Sequence, residues 1–394
     1  MVGIGENGIA GLGDDAKKAI AEARHVFGGA RHLELAGGLI AGTAHPWPSP
    51  FSVEPVLARR GEKLCVLASG DPSFFGVGAT LARHVPASEM RVLPAPSAFS
   101  LAAACLGWAL QDTDCVSLHG RPADLVRPCL HPGRRILALT SDGDAPRLVA
   151  ELLARSGFGA SRLVVMEALG GPQERLRATT AEGFDIEDVN PLNVLAIEVE
   201  STPQARILPL ASGLADGLFE NDGQLTKREV RAVTLSSLAP RRGELLWDIG
   251  AGSGSIGIEW MLAHPSLRAV SVEPDPTRAA RARLNAAACG VPELVVRDGA
   301  APAALAGLDP PDAIFVGGGG TDDGVMDAAR AALRPGGRLV ANAVTLEMEA
   351  VLLDLHARLG GELIRIAVGR AAPVGSMQGW RQALPVTQWS WVKP

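Results

Sequence analysis

The stretch Asp248-Ile249-Gly250-Ala251-Gly252-Ser253-Gly254 constrains this chain more than any other. Leu245-Leu246-Trp247 before it reads as a buried strand, and Ile256-Gly257-Ile258-Glu259-Trp260-Met261 after it carries apolar positions at helical spacing. A strand that turns on three glycines into a helix lets the backbone approach a ligand closely. The helix start then offers unpaired N–H groups to a carboxylate or phosphate. The sequence predicts a cofactor turn here.

Two cofactors compete for it. Gly252-x-Gly254-x-x-Gly257 matches the dinucleotide fingerprint, with Glu273 about 20 residues on, where a ribose-binding acid is expected. An S-adenosylmethionine (SAM) site uses the same turn and acid but also places an acid at the end of the first strand, for the methionine amino group. Asp248 sits there. Two further strand ends, Leu294 to Ala300 and Ala313 to Gly320, open into glycines. In this order the region from about 221 to 394 resembles the class I SAM-dependent methyltransferases, a Rossmann-like fold. That resemblance implies SAM held by Thr226, Asp248, Gly250, Ala251, Gly252, Ser253, Gly254 and Glu273. Adenine would lie at Asp298, Gly299 and Ala300, and the transferred methyl group near Val316 and Gly317. The acid often seen after Gly299 is missing, which leaves Asp298 or the Gly299–Ala300 backbone for the adenine.

Strands are expected near 244–249, 268–273, 293–297, 312–317 and 336–343, with helices such as 276–289 and 323–333 between them. Such alternation predicts a mostly parallel sheet covered on both faces. Two last apolar runs, 362–369 and 384–392, have no helical segment between them and are expected to close the sheet as an antiparallel pair.

At 394 residues, 47% hydrophobic and 20% charged, the chain is long enough for two globular domains. Its formal charge of −6 argues against affinity for phosphate backbones, so no nucleic-acid partner is expected. No apolar run approaches about 18 residues and no signal segment opens the chain, so a cytoplasmic protein with no membrane partner is expected. Cys65, Cys105, Cys115, Cys129 and Cys289 are scattered and read as reduced thiols. His25, His32, His84 and His356 lie in amphipathic, helix-like stretches as surface or core residues, and no metal is expected.

Pro203, Pro209, Gly213 and Gly217 punctuate 201–220, which reads as a linker between domains at 1–200 and 221–394. The first domain carries turn chemistry of its own. Lys63 to Ser69 is a buried strand running into Gly70-Asp71-Pro72-Ser73-Phe74-Phe75-Gly76 and a helix through Leu81 and Ala82. Val2-Gly3-Ile4-Gly5 opens the chain, and Pro94-Ala95-Pro96-Ser97-Ala98 leads into a helix at 101–106. Only Met1 precedes the first strand, so either that strand is shorter than the usual five or so residues or the true start lies upstream.

These pieces come in the order of the tetrapyrrole methylase superfamily, which residues 2 to about 200 resemble. The resemblance implies an α/β domain in which Gly3, Gly5, Gly70, Asp71, Pro72, Ser97 and Ala98 enclose a second SAM. His119-Gly120-Arg121-Pro122 and Glu167 to Pro172 are similar to the branch acting on late corrin precursors. A tetrapyrrole methylase followed by a class I domain that begins Asp222-Gly223-Gln224-Leu225-Thr226-Lys227-Arg228 resembles the decarboxylating methyltransferases of cobalamin biosynthesis. The fusion implies methylation of a precorrin, a polycarboxylate tetrapyrrole, at C5 by the first domain. The second would take C15 and remove the ring C acetate carboxyl.

Meso carbons of a reduced tetrapyrrole are enamine-like nucleophiles and the sulfonium of SAM is a strong electrophile, so placement supplies most of the rate and no strong base is required. Lys227, Arg231 and Arg370 are the candidates to bind substrate carboxylates or favour the decarboxylation. A homo-oligomer is expected. The rival readings are an RNA methyltransferase, disfavoured by charge, and a non-catalytic nucleotide-binding protein.

Overall fold

The computed structural model describes residues 1–394, which divide into two compact units, Met1–Arg206 and Ile207–Pro394. In the first, a four-stranded parallel sheet runs in the order Val2–Ile4, Leu64–Ser69, His25–Gly28, Thr43–Pro46. The opening strand is only three residues long, yet all three are buried, because both of its edges are occupied. Val2 to Ile4 pair with Leu67 to Ser69 on one side, and Gly3 N–H donates to the Leu93 carbonyl at 2.8 Å on the other.

A second, five-stranded sheet follows: Thr113–Ser117, Arg135–Leu139, Asn193–Glu198, Arg162–Glu167, Arg175–Thr180. Its first pair is parallel and the rest antiparallel. The α/β character expected of this region is present; its division into two sheets was not foreseen. The helix Ala98–Leu106 starts at Ser97, whose hydroxyl accepts from Ser100 N–H, and ends on Gly107 in the left-handed region.

In the second unit the seven-stranded sheet has the order Val295–Asp298, Arg268–Glu273, Leu245–Ile249, Ala313–Val316, Arg338–Ala343, Val386–Val392, Glu362–Ile366. The first five are parallel, as the alternation of strands and helices predicts, and Val386–Val392 is antiparallel to both of its neighbours, which makes the last two strands the expected antiparallel pair. Leu246, Trp247, Ile314 and Phe315 are almost wholly buried, which a sheet covered on both faces requires. The sequence reading did not separate a hairpin, Gly369–Val374 with Met377–Gln382, from the closing pair that flanks it.

The linker expected at 201–220 is corrected. Residues up to Arg206 belong to the first unit: Thr202 N–H donates to the Gly157 carbonyl at 2.9 Å and Arg206 N–H to that of Ser156 at 3.0 Å. From Ile207 onward the chain packs in the second unit, where Leu208, Leu214 and Phe219 join the core beside Leu235, Trp260 and Leu267. Proline and glycine mark irregular backbone here, but irregular backbone can still carry core side chains.

A fragment spanning 207–394 should therefore fold, and one spanning 221–394 should be less stable by more than about 5 kcal/mol. It lacks three buried apolar side chains and the partners of a buried ion pair described below. Urea unfolding of both fragments checks this; equal stability would place the boundary at 220.

Candidate functional site

Three neighbouring parallel strands end together around the glycine turn. Gly250 and Ala251 N–H donate to the Val272 carbonyl at 3.0 and 3.1 Å, and Gly317 N–H donates to the Ile249 carbonyl at 2.9 Å. Gly250 has φ +71°, and a Cβ there would lie 2.5 Å from the Gly318 nitrogen, so no side chain fits between the two loops. Gly254, at φ +78°, starts the helix Ser255–Leu262.

Two buried carboxylates hold this turn. Glu273 accepts from Gly252 N–H at 2.7 Å and from Asp275 N–H at 3.0 Å. Asp248 accepts through Oδ2 from Gly257 N–H at 3.1 Å, in the first turn of the helix, and from the Ser271 hydroxyl at 3.3 Å. Its Oδ1 is buried with no partner. Burial, with the Glu273 charge adding to it, pushes the Asp248 carboxyl up to about 7 against its two hydrogen bonds.

A cavity of about 890 Å³ opens over the turn, near the upper end of the roughly 300–1,000 Å³ usual for small-molecule sites. Gly250, Ala251, Gly252, Ser253 and Glu273 line it, as do Ala300 and Gly317, all as expected from sequence. Thr226 and Lys227 line it from the segment leading into the helix Arg228–Leu238, and Arg370 from the hairpin. Arg370 is half-exposed and donates to Glu229 at 2.5 Å. Sequence reasoning missed Gln224, Arg278, Asn342 and Arg381 on the same wall; none lies in a glycine-marked strand end.

Other expected residues stand behind the wall. Asp248 braces the helix start from beneath instead of facing the cavity, and Gly254 packs against Ala282. Val316 is a fully buried strand residue, one position short of the lining Gly317. Asp298 is turned outward to Arg283 at 3.0 Å with Gly299 following, so only Ala300 and Ala301 of that loop reach the cavity. Arg231 is the clearest correction. It is fully buried, donating to Glu259 at 2.6 Å, to Asp216 at 3.0 Å and to the carbonyls of Thr226 and Leu214. Its guanidinium also lies 4.8 Å from the Phe219 ring centre. Glu259 takes Gly213 and Leu214 N–H at 2.6 and 3.0 Å, so every group is spent on structure and none is left for a substrate.

The first unit has a cavity of about 750 Å³ at the facing ends of its two sheets. Gly5, Gly70, Ser97 and Ala98 line it. Gly3 does not: a Cβ there would overlap the Gly70 carbonyl, so this glycine brings two backbone segments together. Asp71 caps its own loop through Ser73 N–H at 2.8 Å, and the Pro72 carbonyl packs against Gly76 and Gly78. Both shape the loop without lining the cavity.

His119 lines the same cavity and contacts the Thr140 carbonyl at 3.1 Å. His32, read from sequence as a bland helix residue, also lines it. It lies 2.8 Å from the Ser69 hydroxyl and 3.1 Å from Arg31, which pairs with Glu6. Burial, and then Arg31, lower the His32 pKa to about 4. His25 opens a strand rather than a helix and meets His45 at 2.9 Å.

Residues 217–393 match the family model described as a precorrin methyltransferase domain, and residues 1–185 that described as tetrapyrrole (corrin/porphyrin) methylases. Over its full length the chain is 66% identical to a precorrin-6Y C(5,15)-methyltransferase (decarboxylating) of Sinorhizobium sp., covering 96% of that protein. Two shorter relatives come from Salmonella typhimurium. A cobalt-precorrin-6B C(15)-methyltransferase (decarboxylating) is 33% identical over 41% of this chain and 85% of its own length. A cobalt-precorrin-7 C(5)-methyltransferase is 30% identical over 45% of this chain and 87% of its own.

The Asp248 geometry predicts a pH dependence. Between its ordinary value of 3.8 and about 7 the folded carboxyl keeps a proton that the unfolded chain has released, so its contribution to stability falls as pH rises through that window. Asp248→Asn removes the buried charge. The variant should gain stability over wild type from pH 4 to 8, by up to about 4 kcal/mol. Urea unfolding of the ligand-free proteins measures it, and a pH-independent difference would contradict the assigned burial.

Proposed function

The chain belongs to the precorrin-6Y C(5,15)-methyltransferase (decarboxylating) family, and from that premise we propose how its two units divide the work. It is a methyltransferase acting on a late precorrin in cobalamin biosynthesis, with the C15 methylation and decarboxylation in the second unit and the C5 methylation in the first. The observation that carries this reading is the pairing of two separate cavities, one in each unit, with one methyltransferase family model matching each.

The second cavity suits SAM. Glu273 has both oxygens anchored by backbone N–H groups, which fixes the carboxylate and leaves lone pairs for ribose hydroxyls. Gly250 to Ser253 offer a floor without bulky side chains, and Ala300 and Ala301 an apolar rim for adenine. When bound, SAM supplies an electrophilic methyl group on a sulfonium. In the first unit Gly5, Gly70, Ser97 and Ala98 would play the corresponding part.

What the protein adds is position and charge. The cavity walls would hold the C15 carbon in line with the sulfonium methyl group, so that the new carbon–carbon bond would form as the carbon–sulfur bond broke, and this alignment would supply most of the rate. In the decarboxylation the bond between the acetate methylene and its carboxyl breaks. The electron pair enters the conjugated macrocycle, carbon dioxide leaves, and a proton from solvent completes the methyl group. Lys227 and Arg370 line the cavity where carboxylates of the substrate would lie, and Arg231 has no part in this.

Full-length protein should bind two SAM per chain and no NAD by calorimetry. Glu273→Ala should weaken the second-unit site by about tenfold to a hundredfold, the loss of a charge-assisted hydrogen bond, and leave the first-unit site unchanged. NAD binding, or a single SAM, would contradict the reading.

Separated fragments test the division of labour. From a precorrin-6B-like substrate, residues 207–394 should give a product heavier by about 14 for the methyl group and lighter by about 44 for carbon dioxide, while residues 1–206 only methylate. Decarboxylation travelling with the first fragment would reverse the assignment.

A further inference from the structure

We propose that Arg381, acting with Arg370 across the hairpin, is the carboxylate-binding element of the second cavity, and that it grips the carboxylates the substrate keeps rather than the one it loses. The inference rests on the reading above that this cavity takes a polycarboxylate tetrapyrrole.

Arg370 and Arg381 are directly opposite each other in the pairing of Gly369–Val374 with Met377–Gln382, and both line the cavity. Like charges at opposed positions on a hairpin destabilise it, so the pair is not there for the fold. Glu229 offsets one of the two by its 2.5 Å bond to Arg370. No carboxylate lies within salt-bridge distance of Arg381, which is exposed to solvent at the cavity wall. One net positive charge thus remains on a two-guanidinium edge, and a carboxylate would be gripped there in a bidentate fork. The cavity floor at Glu273, by contrast, is anionic and unsuited to a substrate carboxylate.

The chemistry decides which carboxylate. An arginine on the departing carboxylate stabilises its negative charge before the carbon–carbon bond breaks and loses that interaction as charge moves into the macrocycle, which slows the step. An arginine on a retained carboxylate holds equally in both states and changes binding alone. Val368 and Leu384, which flank the hairpin strands, also line the cavity and make the wall next to the arginines apolar.

The test uses full-length protein with SAM and a precorrin-6B-like substrate, following carbon dioxide release and product mass. Arg381→Ala should raise KM for decarboxylation by about tenfold to a hundredfold with kcat within about twofold. Arg381→Lys should recover part of the loss. SAM affinity and the methylation by the first unit should stay as in wild type, and the unfolding midpoint should not fall, since removing one of two opposed like charges relieves the hairpin. An unchanged KM, a fall in kcat larger than the rise in KM, or weakened SAM binding would each overturn the proposal while wild-type activity stands. Wild-type protein that releases no carbon dioxide would overturn the underlying reading, and this proposal with it.

Discussion

Two carboxylates on adjacent strands, Asp248 and Glu273, set the shape of the second unit's cavity. One ties the first turn of a helix to its strand through Gly257, the other ties the glycine turn through Gly252. Between them the backbone passes through left-handed conformations at Gly250, Gly252 and Gly254, which other residues rarely adopt. The arrangement has an electrostatic cost, because two acids are buried close together with no cation between them. Asp248 answers it by holding its proton to about pH 7, whereas Glu273 is supported by two backbone donors.

A second buried network works in the opposite way. Arg231, Glu259 and Asp216 are mutually satisfied, with backbone groups of Gly213, Leu214 and Thr226 filling the remaining positions. Breaking such a network leaves an uncompensated charge, commonly at about 3–5 kcal/mol. Its effect reaches the cavity indirectly. Arg231 fixes the Thr226 carbonyl, and Thr226 and Lys227 lie on the cavity wall just before their helix. A residue that reads as a substrate ligand from sequence is therefore a support for a segment that lines the cavity.

What was legible in the sequence was whatever periodicity and glycine record. The parallel strands of the second unit and the turn at 250–254 follow from local pattern, and the structure has them where expected; the helix expected at 101–106 starts three residues earlier, at Ala98, behind the Ser97 cap. The failures share a cause: sequence spacing does not tell a side chain's direction. Asp248 and Val316 are one residue from positions that face the cavity, and alternation in a strand sends neighbours to opposite sides. Asp298 ends a strand whose neighbouring helix supplies Arg283, a long-range partner no local pattern announces. The linker was misjudged because proline and glycine report conformation and not burial, and Leu208, Leu214 and Phe219 were the residues to weigh.

The same limit explains why Arg370 stood out in the sequence and Arg381 did not. Each is one arginine among many until the hairpin places them face to face, and only then does the surplus of positive charge become apparent. A hairpin inserted between the two closing strands is a convenient place for such a pair. It is carried by the sheet edge that also ends at the cavity, yet its own packing is slight, with Val374, Met377 and Trp380 exposed. Residues there can be chosen for the ligand at little expense to the fold, whereas Asp248 and Glu273, locked into the turn, cannot change without reshaping it.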